Sequence, residues 1–143
     1  MKIEEKLNQG WLHCFIIIEI AGKPANYVTK VFDGVLKNLA KEKGIEIIKK
    51  KVHKVKKIEE VFSTFAEIEM LVMNMKRLVD ITFDYMPSSV EITEPVTLKL
   101  ELNDVNGLIN DLAAKLHRYE QMSKQLSFEN EILKNQLAEA RKK

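Results

Sequence analysis

Residues 11–40 read WLHCFIIIEIAGKPANYVTKVFDGVLKNLA, and this stretch decides the fold class. Residues 11–20 are continuously apolar and rich in β-branched and aromatic side chains, which predicts a central strand covered on both faces. Gly22 ends that strand, and Pro24 suits the first position of a helix. The apolar residues that follow recur three and four apart, which predicts an amphipathic helix of about five turns: Val28, Val31, Phe32, Val35, Leu36, Leu39 and Ala40.

The next two apolar segments predict a strand hairpin. Gly44 stands where a helix C-cap is expected, and residues 45–55 follow it as a second strand. Residues 61–72 predict a third strand, with Glu67 and Glu69 on one face and apolar residues on the other. The charged residues 56–60 are expected to form the connection between these two strands.

A second helix and a short strand complete the pattern. Residues 75–86 carry helical spacing and end at Pro87. Residues 90–92 predict a short strand, and the alternation in residues 96–102 predicts one more. The order strand, helix, strand, strand, helix, strand predicts an α+β fold, a ferredoxin-like βαββαβ sandwich over residues 1–102.

The first strand is predicted to be apolar on both of its faces. One side carries five aliphatic or sulfur-containing residues, and the other carries Trp11, His13, Phe15 and Ile17. An exposed sheet face with such residues should be buried by something. We expect either a partner subunit or the C-terminal helix to cover it.

The C-terminal residues 103–143 predict a coiled-coil helix. Apolar residues follow a heptad from Val105 to Ala140 that alternates steps of four and three without a slip. A 3.5-residue period sustained over five heptads is typical of a coiled coil. The predicted interface comprises Ile109, Leu112, Leu116, Tyr119, Leu126, Asn130, Leu133 and Leu137.

The polar residues of this helix predict a parallel homodimer. Asn130 occupies an a position, where a buried Asn fixes register and favours two strands. In a parallel pair Lys115 would face Glu120 of the partner subunit, and Glu129 would face Lys134 of the partner subunit. Each such pair contributes only about 0.3–0.5 kcal/mol, so these pairs indicate orientation more than stability. The alternative is a helix that packs on its own domain.

Composition and motifs point away from catalysis. The 143 residues carry a net charge of +2 and one cysteine, Cys14, which cannot form an internal disulfide. No apolar run is long enough to span a membrane, and the N-terminus lacks the apolar region of a signal peptide, so a cytoplasmic location is expected. Metalloprotease, nucleotide-binding and nucleophile-elbow motifs are absent. We therefore expect no enzymatic activity, no catalytic or metal site and no cofactor.

A lysine-rich strip raises the alternative of nucleic-acid binding. Clustered cations can neutralise phosphates, but no aromatic side chain interleaves with them and arginine is absent from the strip. A solvated strand edge that discourages sheet pairing is the commoner explanation. The strip consists of Lys49, Lys50, Lys51, Lys54, Lys56 and Lys57.

The segment FIIIEIAGKPANYVTKVFDGVLKNLAKEKGIEI, together with the order of elements over residues 12–93, resembles the ACT family of regulatory domains. The resemblance implies a paired domain and an amino-acid ligand at the turn after the first strand. That turn contains Gly22, Lys23 and Asn26 here. Ala21 and Gly22 stand where ligand-binding members often carry an acidic residue.

These observations predict a non-enzymatic, homodimeric protein-interaction or regulatory module, dimerised through a parallel coiled coil. Two alternatives remain open at this point. One is an ACT-type sensor of a small molecule such as an amino acid, and the other is a nucleic-acid-binding dimer. The sequence names no protein partner.

Overall fold

The computed structural model describes residues 3–142, which fall into two compact units divided between Lys99 and Leu100. We call the described residues 3–99 the head domain. The second unit consists mainly of one long helix. Each unit is described by itself below.

The head domain contains a short N-terminal helix and then the predicted alternation of strands and helices. The short helix was not predicted from the sequence. In chain order the elements are α1 (Ile3–Asn8), β1 (Leu12–Gly22), α2 (Ala25–Ala40), β2 (Ile45–Val52), β3 (Lys56–Ile58), β4 (Val61–Val72), α3 (Met75–Tyr85) and β5 (Ser89–Glu94).

The strands form one antiparallel sheet in the order β2-β4-β1-β5, with the short β3 also paired to β4. The central pair is β1 and β4, which run side by side from the pair Leu12 and Val72 to the pair Gly22 and Phe62. This arrangement confirms the predicted ferredoxin-like α+β fold.

The core lies on one face of this sheet, against α2 and α3. The even-numbered residues of β1 and β4 form the sheet side of the core, because alternate residues of a strand point to the same face. Phe32, Leu36 and Leu39 enter from α2, and Leu78 and Ile81 enter from α3. The sheet residues of the core are Leu12, Cys14, Ile16, Ile18, Ala66, Ile68, Met70 and Val72.

The ends of α2 differ in detail from the sequence prediction. Pro24 is the N-cap and not the first helical residue, and Lys41 is the C-cap in place of Gly44. Gly44 instead directly precedes β2 and has a φ of +80°, a conformation that residues other than glycine rarely adopt. A Cβ at this position would lie 2.6 Å from the Met73 sulfur. Gly44 is therefore favoured by its backbone conformation, and a larger residue there would also force the Met73 side chain to move.

The helix α3 begins and ends with recognisable caps. The Asn74 side chain accepts a hydrogen bond from the Arg77 backbone N–H at 2.8 Å. Met86 ends the helix in a left-handed conformation, directly before the predicted stop at Pro87. The Arg77 side chain donates to Glu42 and to the Lys43 carbonyl, so α3 is tied to the segment that follows α2.

Two strand predictions were wrong, one in its extent and the other altogether. The second strand stops at Val52. Residues 56–60 were expected to form the connection, but residues 56–58 form β3, and the turn lies at Glu59, which has a φ of 55°. The strand predicted over residues 96–102 is absent, and Val96 is fully exposed. Alternating apolar and polar residues form a strand only where a partner strand is available to pair with them. The preceding Pro95 also lacks the N–H that would bond to a neighbouring strand.

The second unit contains α4 (Leu102–Lys142), a single uninterrupted helix of 41 residues. Its start agrees with the predicted start to within two residues. None of its residues is buried. A helix of this length extends about 60 Å at the usual rise per residue.

Candidate interaction surfaces

The sheet face opposite α2 and α3 is the first candidate surface, and we call it the open sheet face. Its side chains form rows that cross the strands in the order β2, β4, β1, β5. One row contains Lys49, Glu69, Phe15 and Glu91, and the next contains Lys51, Glu67, Ile17 and Ser89. The predicted division of β1 into two faces is confirmed for His13, Phe15 and Ile17, which lie on this side, whereas Trp11 precedes the strand.

His13 links three strands at one end of the open sheet face. Its Nε2 lies 2.7 Å from a Glu69 carboxylate oxygen on β4, and its Nδ1 lies 3.2 Å from a Glu94 oxygen on β5. A neutral imidazole has only one N–H, so the ring donates both bonds together only when it carries both protons. The ring also stacks on Phe15, with centroids 5.4 Å apart.

His53 makes the corresponding link between the chain just after β2 and β4. It lies 2.9 Å from a Glu67 carboxylate oxygen and stacks on Phe65 with ring centroids 3.9 Å apart. The hydrogen bond from His53 lowers the pKa of the Glu67 carboxyl below its ordinary value, and the nearby charge of Lys51 acts in the same direction. Glu67 is therefore held as a carboxylate on this face.

Two lysines of the strip lie opposite carboxylates of β4. Lys49 lies opposite Glu69 and Lys51 lies opposite Glu67 in the β2–β4 register. Lys50 lies opposite Ile68 and so belongs to the other face of the sheet. Because opposite charges directly across a strand pair attract, this part of the strip offers phosphates less free positive charge than the sequence implies.

The remaining lysines of the strip lie beyond β2. Lys54 is exposed in the segment between β2 and β3, and Lys56 and Lys57 are exposed in β3. Lys56 lies opposite Ser63 and Lys57 opposite Phe62. The structure thus distributes the six lysines over both sides of one hairpin.

The turn singled out by the ACT resemblance joins β1 to α2. The Lys23 ammonium lies 3.7 Å from a Glu60 carboxylate oxygen, and the Asn26 side chain accepts a hydrogen bond from the Tyr27 N–H. Gly22 is the last residue of β1. Two of the three predicted ligand groups therefore already have partners within the chain.

Cys14 is part of the hydrophobic core and packs there as a small apolar residue. It is completely buried, and burial raises the pKa of its thiol to about 11. A thiol of this kind carries no thiolate at neutral pH and is a poor nucleophile. Cys14 and His13 lie on opposite faces of β1, as their adjacent positions require.

The second candidate surface is the apolar stripe of α4, which we call the seam. Six of its predicted members are exposed: Ile109, Leu116, Tyr119, Leu126, Leu133 and Leu137. Leu112 is half-buried and Asn130 is exposed. A shallow groove follows the seam from Tyr119 to Leu133 and includes Asn130.

Two further apolar residues of α4 lie off the seam. Phe128 and Ile132 occupy f and c positions of the heptad, on the outer side of the predicted coil, and both are exposed. Among the flanking charges, Glu120 forms an ion pair with Lys124 at 3.0 Å within the same helix.

The chain matches the model of the MJ0538 family over residues 13–142. This chain belongs to the MJ0538 family. The match runs from β1 to the end of α4, so the family's shared sequence includes the sheet and both larger helices of the head domain and the long helix. No curated protein and no solved structure matches this MJ0538-family chain.

Neither a group of candidate metal ligands nor a membrane-spanning helix occurs among the described residues. In the part of this MJ0538-family chain that the structure describes, no group of three or more His, Cys, Asp or Glu side chains is placed to hold a metal ion. No helix within residues 3–142 combines the length and apolarity needed to cross a membrane.

Sequence reasoning missed the histidine–glutamate pairs of the open sheet face. The parity of β4 placed Glu67 and Glu69 on one face, but their partners depend on which residues lie opposite them. A bulge between Ile47 and Lys49 shifts the β2–β4 register, which places His53 beside Glu67. No signal in the sequence marks this bulge.

Proposed function

We propose that this chain is a non-enzymatic homodimeric interaction module, in which a parallel coiled coil of two α4 helices holds two head domains together. The exposed seam carries this proposal. Leu126 and Leu133 are each 62% exposed, although they lie in register with four other large apolar residues along one stripe. Contiguous apolar surface of this kind is typical of an interaction site.

A second α4 helix is the occupant that suits the seam best. The stripe repeats every 3.5 residues, which matches the spacing of a left-handed coiled coil. A lone helix gains its stability mainly from packing an apolar face, and no residue of α4 is buried. A second α4 helix carries the same apolar stripe, so pairing of the two helices buries both stripes.

The polar positions support two parallel strands. Asn130 lies within the seam groove, between Leu126 and Leu133. In a parallel dimer the two Asn130 side chains meet and can pair with one another. In other registers or larger assemblies each would be buried against apolar side chains, which costs stability.

Coupling through a coil also explains how a small head domain could act. Once two heads are tethered, a weak contact between them or with a shared partner becomes effectively intramolecular. The effective concentration reaches the millimolar range for short links. The module would therefore present two heads to a partner at once.

A matched pair of double variants of the full chain tests this proposal. Leu126→Glu with Leu133→Glu places charge in the seam, so the dimer should dissociate to monomers in sedimentation velocity. Phe128→Glu with Ile132→Glu makes the same chemical change in the same part of α4 but off the seam, so it should remain dimeric.

The two variants together separate the possible outcomes. Loss of the dimer in both variants would mean that charge destabilises α4 in general and not through the seam. A dimer that survives in both would show that the seam is not the dimer contact. Either result would contradict the proposal.

The two alternatives have less support from the contacts of their residues. Lys23 and Asn26 already have partners within the chain, which counts against an amino-acid sensor. Lys49 and Lys51 lie opposite carboxylates, which counts against a nucleic-acid surface. A thermal shift with one amino acid would favour the first, and salt-dependent oligonucleotide binding lost on neutralising Lys49, Lys50 and Lys51 would favour the second.

A further inference from the structure

We propose that His13 is a proton-operated latch that fastens the end of the edge strand β5 to the sheet, and that the latch opens as pH rises through the titration of this histidine. The inference goes beyond the proposed function and does not depend on the dimer, because every group of the latch belongs to one head domain. It rests on the position of one imidazole ring between two carboxylates of different strands.

A bulge in β5 places the second carboxylate beside the ring. Cys14 lies opposite Ile92, and the register then skips Thr93, so that His13 lies opposite Glu94. Without this extra residue, strand alternation would direct Glu94 to the face of the sheet that packs against the helices. Bulges at sheet edges commonly re-aim a side chain in this way. The bulge therefore builds the contact between Glu94 and the ring.

The ring can hold both carboxylates only in its doubly protonated form. Its Nε2 lies 2.7 Å from a Glu69 oxygen and its Nδ1 lies 3.2 Å from a Glu94 oxygen, and an ionised carboxylate has no proton to donate. When the ring loses one proton, one of its nitrogens presents a lone pair to a carboxylate, and that contact becomes repulsive. One of the two carboxylates is then released from the ring.

Glu94 is the carboxylate that leaves. Its side chain is 52% exposed, whereas that of Glu69 is 21% exposed, so water solvates Glu94 more readily. The contact with Glu69 is also the shorter of the two. The neutral ring therefore keeps its proton on Nε2 and remains bonded to Glu69 and stacked on Phe15.

The other charged groups around the ring provide no substitute for its second proton. In the row of His13 and the row beside it, they are Glu46 and Lys49 of β2, Glu91 of β5, and Lys6 of α1, which pairs with Glu46 at 2.7 Å. Lys49 lies opposite Glu69. Both lysines are thus on the β2 side of the sheet, whereas β5 is at the other edge. Neither is placed to hold Glu94 when the ring is neutral.

The release changes how firmly the end of β5 is held. The Thr93 hydroxyl donates to the His13 carbonyl at 3.2 Å, and this bond is independent of the ring proton. The latch therefore loosens the end of the strand and does not detach it. Since β5 is the last strand before the chain continues to α4, pH sets how tightly this end of the head domain is ordered.

Hydrogen exchange of the full-length chain tests the latch. Exchange of the backbone amides of residues 89–94 is measured by mass spectrometry between about pH 5.5 and 8.5, the range in which histidine ordinarily changes its charge. Each rate is corrected for the intrinsic pH dependence of exchange, and NMR of the ring gives the pH at which His13 titrates. Protection of β5 should fall about two- to fivefold across that pH, as expected for the loss of one partly exposed ion pair.

Two glutamine variants separate the latch from general effects of charge. In Glu94→Gln, the side-chain amide can accept from a ring N–H and can also donate to a bare ring nitrogen. The contact can then form in both protonation states, so the step in protection should disappear. Glu91→Gln removes the same charge from the same strand and leaves the contacts of His13 in place, so the step should keep its wild-type size.

Three results would overturn the latch: a wild type without a step, a step of wild-type size in Glu94→Gln, or loss of the step in Glu91→Gln. The last would show that the total charge of β5 explains the effect. A second measurement needs no variant, because the nuclear Overhauser contact between the His13 ring and the Glu94 side chain should weaken across the same pH in the wild type. Constant intensity would also contradict the proposal. None of these readouts depends on the number of chains, so the proposed dimer stands or fails separately.

Discussion

Lys51 lies directly opposite Glu67 across β2 and β4, and Glu67 is also hydrogen-bonded to His53 at 2.9 Å. The lysine strip is therefore not an isolated basic surface. Its lysines on the open sheet face are matched by carboxylates of the neighbouring strand.

The protonation of Glu67 provides a direct check of this network. The replacement His53→Ala should raise the Glu67 pKa toward its ordinary value of 4.5, because the hydrogen bond from His53 is the largest cause of the lowering. Lys51→Gln should raise it less. Carboxyl chemical shifts followed over pH by NMR measure both, with His117→Ala as a control on α4.

The same pKa shift predicts how stability depends on pH. The folded-state pKa of Glu67 is lowered, so its contribution to stability is present above the ordinary pKa and is lost as pH falls through the lowered value. Acid unfolding of His53→Ala should therefore depend less on pH below about 4.5 than that of the wild type. An unchanged pKa in His53→Ala would contradict this account of the network.

Gly44 should tolerate substitution poorly. Gly44→Ala places a Cβ at a positive φ and close to Met73, so unfolding free energy should fall by about 1–2 kcal/mol or more. Gly34→Ala is the matched control, because it lies inside α2 with open space around it. That change should raise stability by about 0.5–1 kcal/mol. Urea unfolding of both variants gives the comparison, and equal effects would refute it.

Cys14 should be chemically inert in the folded protein. Burial raises its pKa to about 11, so almost no thiolate is present at pH 8. A thiol reagent such as a disulfide dye should react with the native chain far more slowly than with the chain in denaturant. Rapid stoichiometric reaction of the native protein would show that Cys14 is accessible.

Sequence patterns were most informative where one face of an element is buried. The alternation in β4 identified the strand with its observed ends, and the spacing in α2 identified its buried face, because burial selects those side chains. Partners across the sheet were not predictable. The residue of β2 that lies opposite Glu67 depends on the register of the two strands. The bulge after Ile47 shifts this register, and the residue pattern of β2 does not predict the bulge.

Asn130→Leu probes the interior of the proposed coil. A leucine at this position would remove a polar group from the seam, so the melting temperature should rise and the distribution of oligomers should broaden. Sedimentation equilibrium together with thermal unfolding monitors both changes. An unchanged melting temperature and mass would mean that Asn130 does not face a second helix.

The dimer itself is the central claim, and the mass of the full-length protein in solution tests it most directly. Native mass spectrometry of the freshly purified wild-type chain should give a species of two chains with no additional mass. A species of one 16.5 kDa chain under the same conditions would contradict the account, because the exposed seam of α4 would then lack the second helix proposed to cover it.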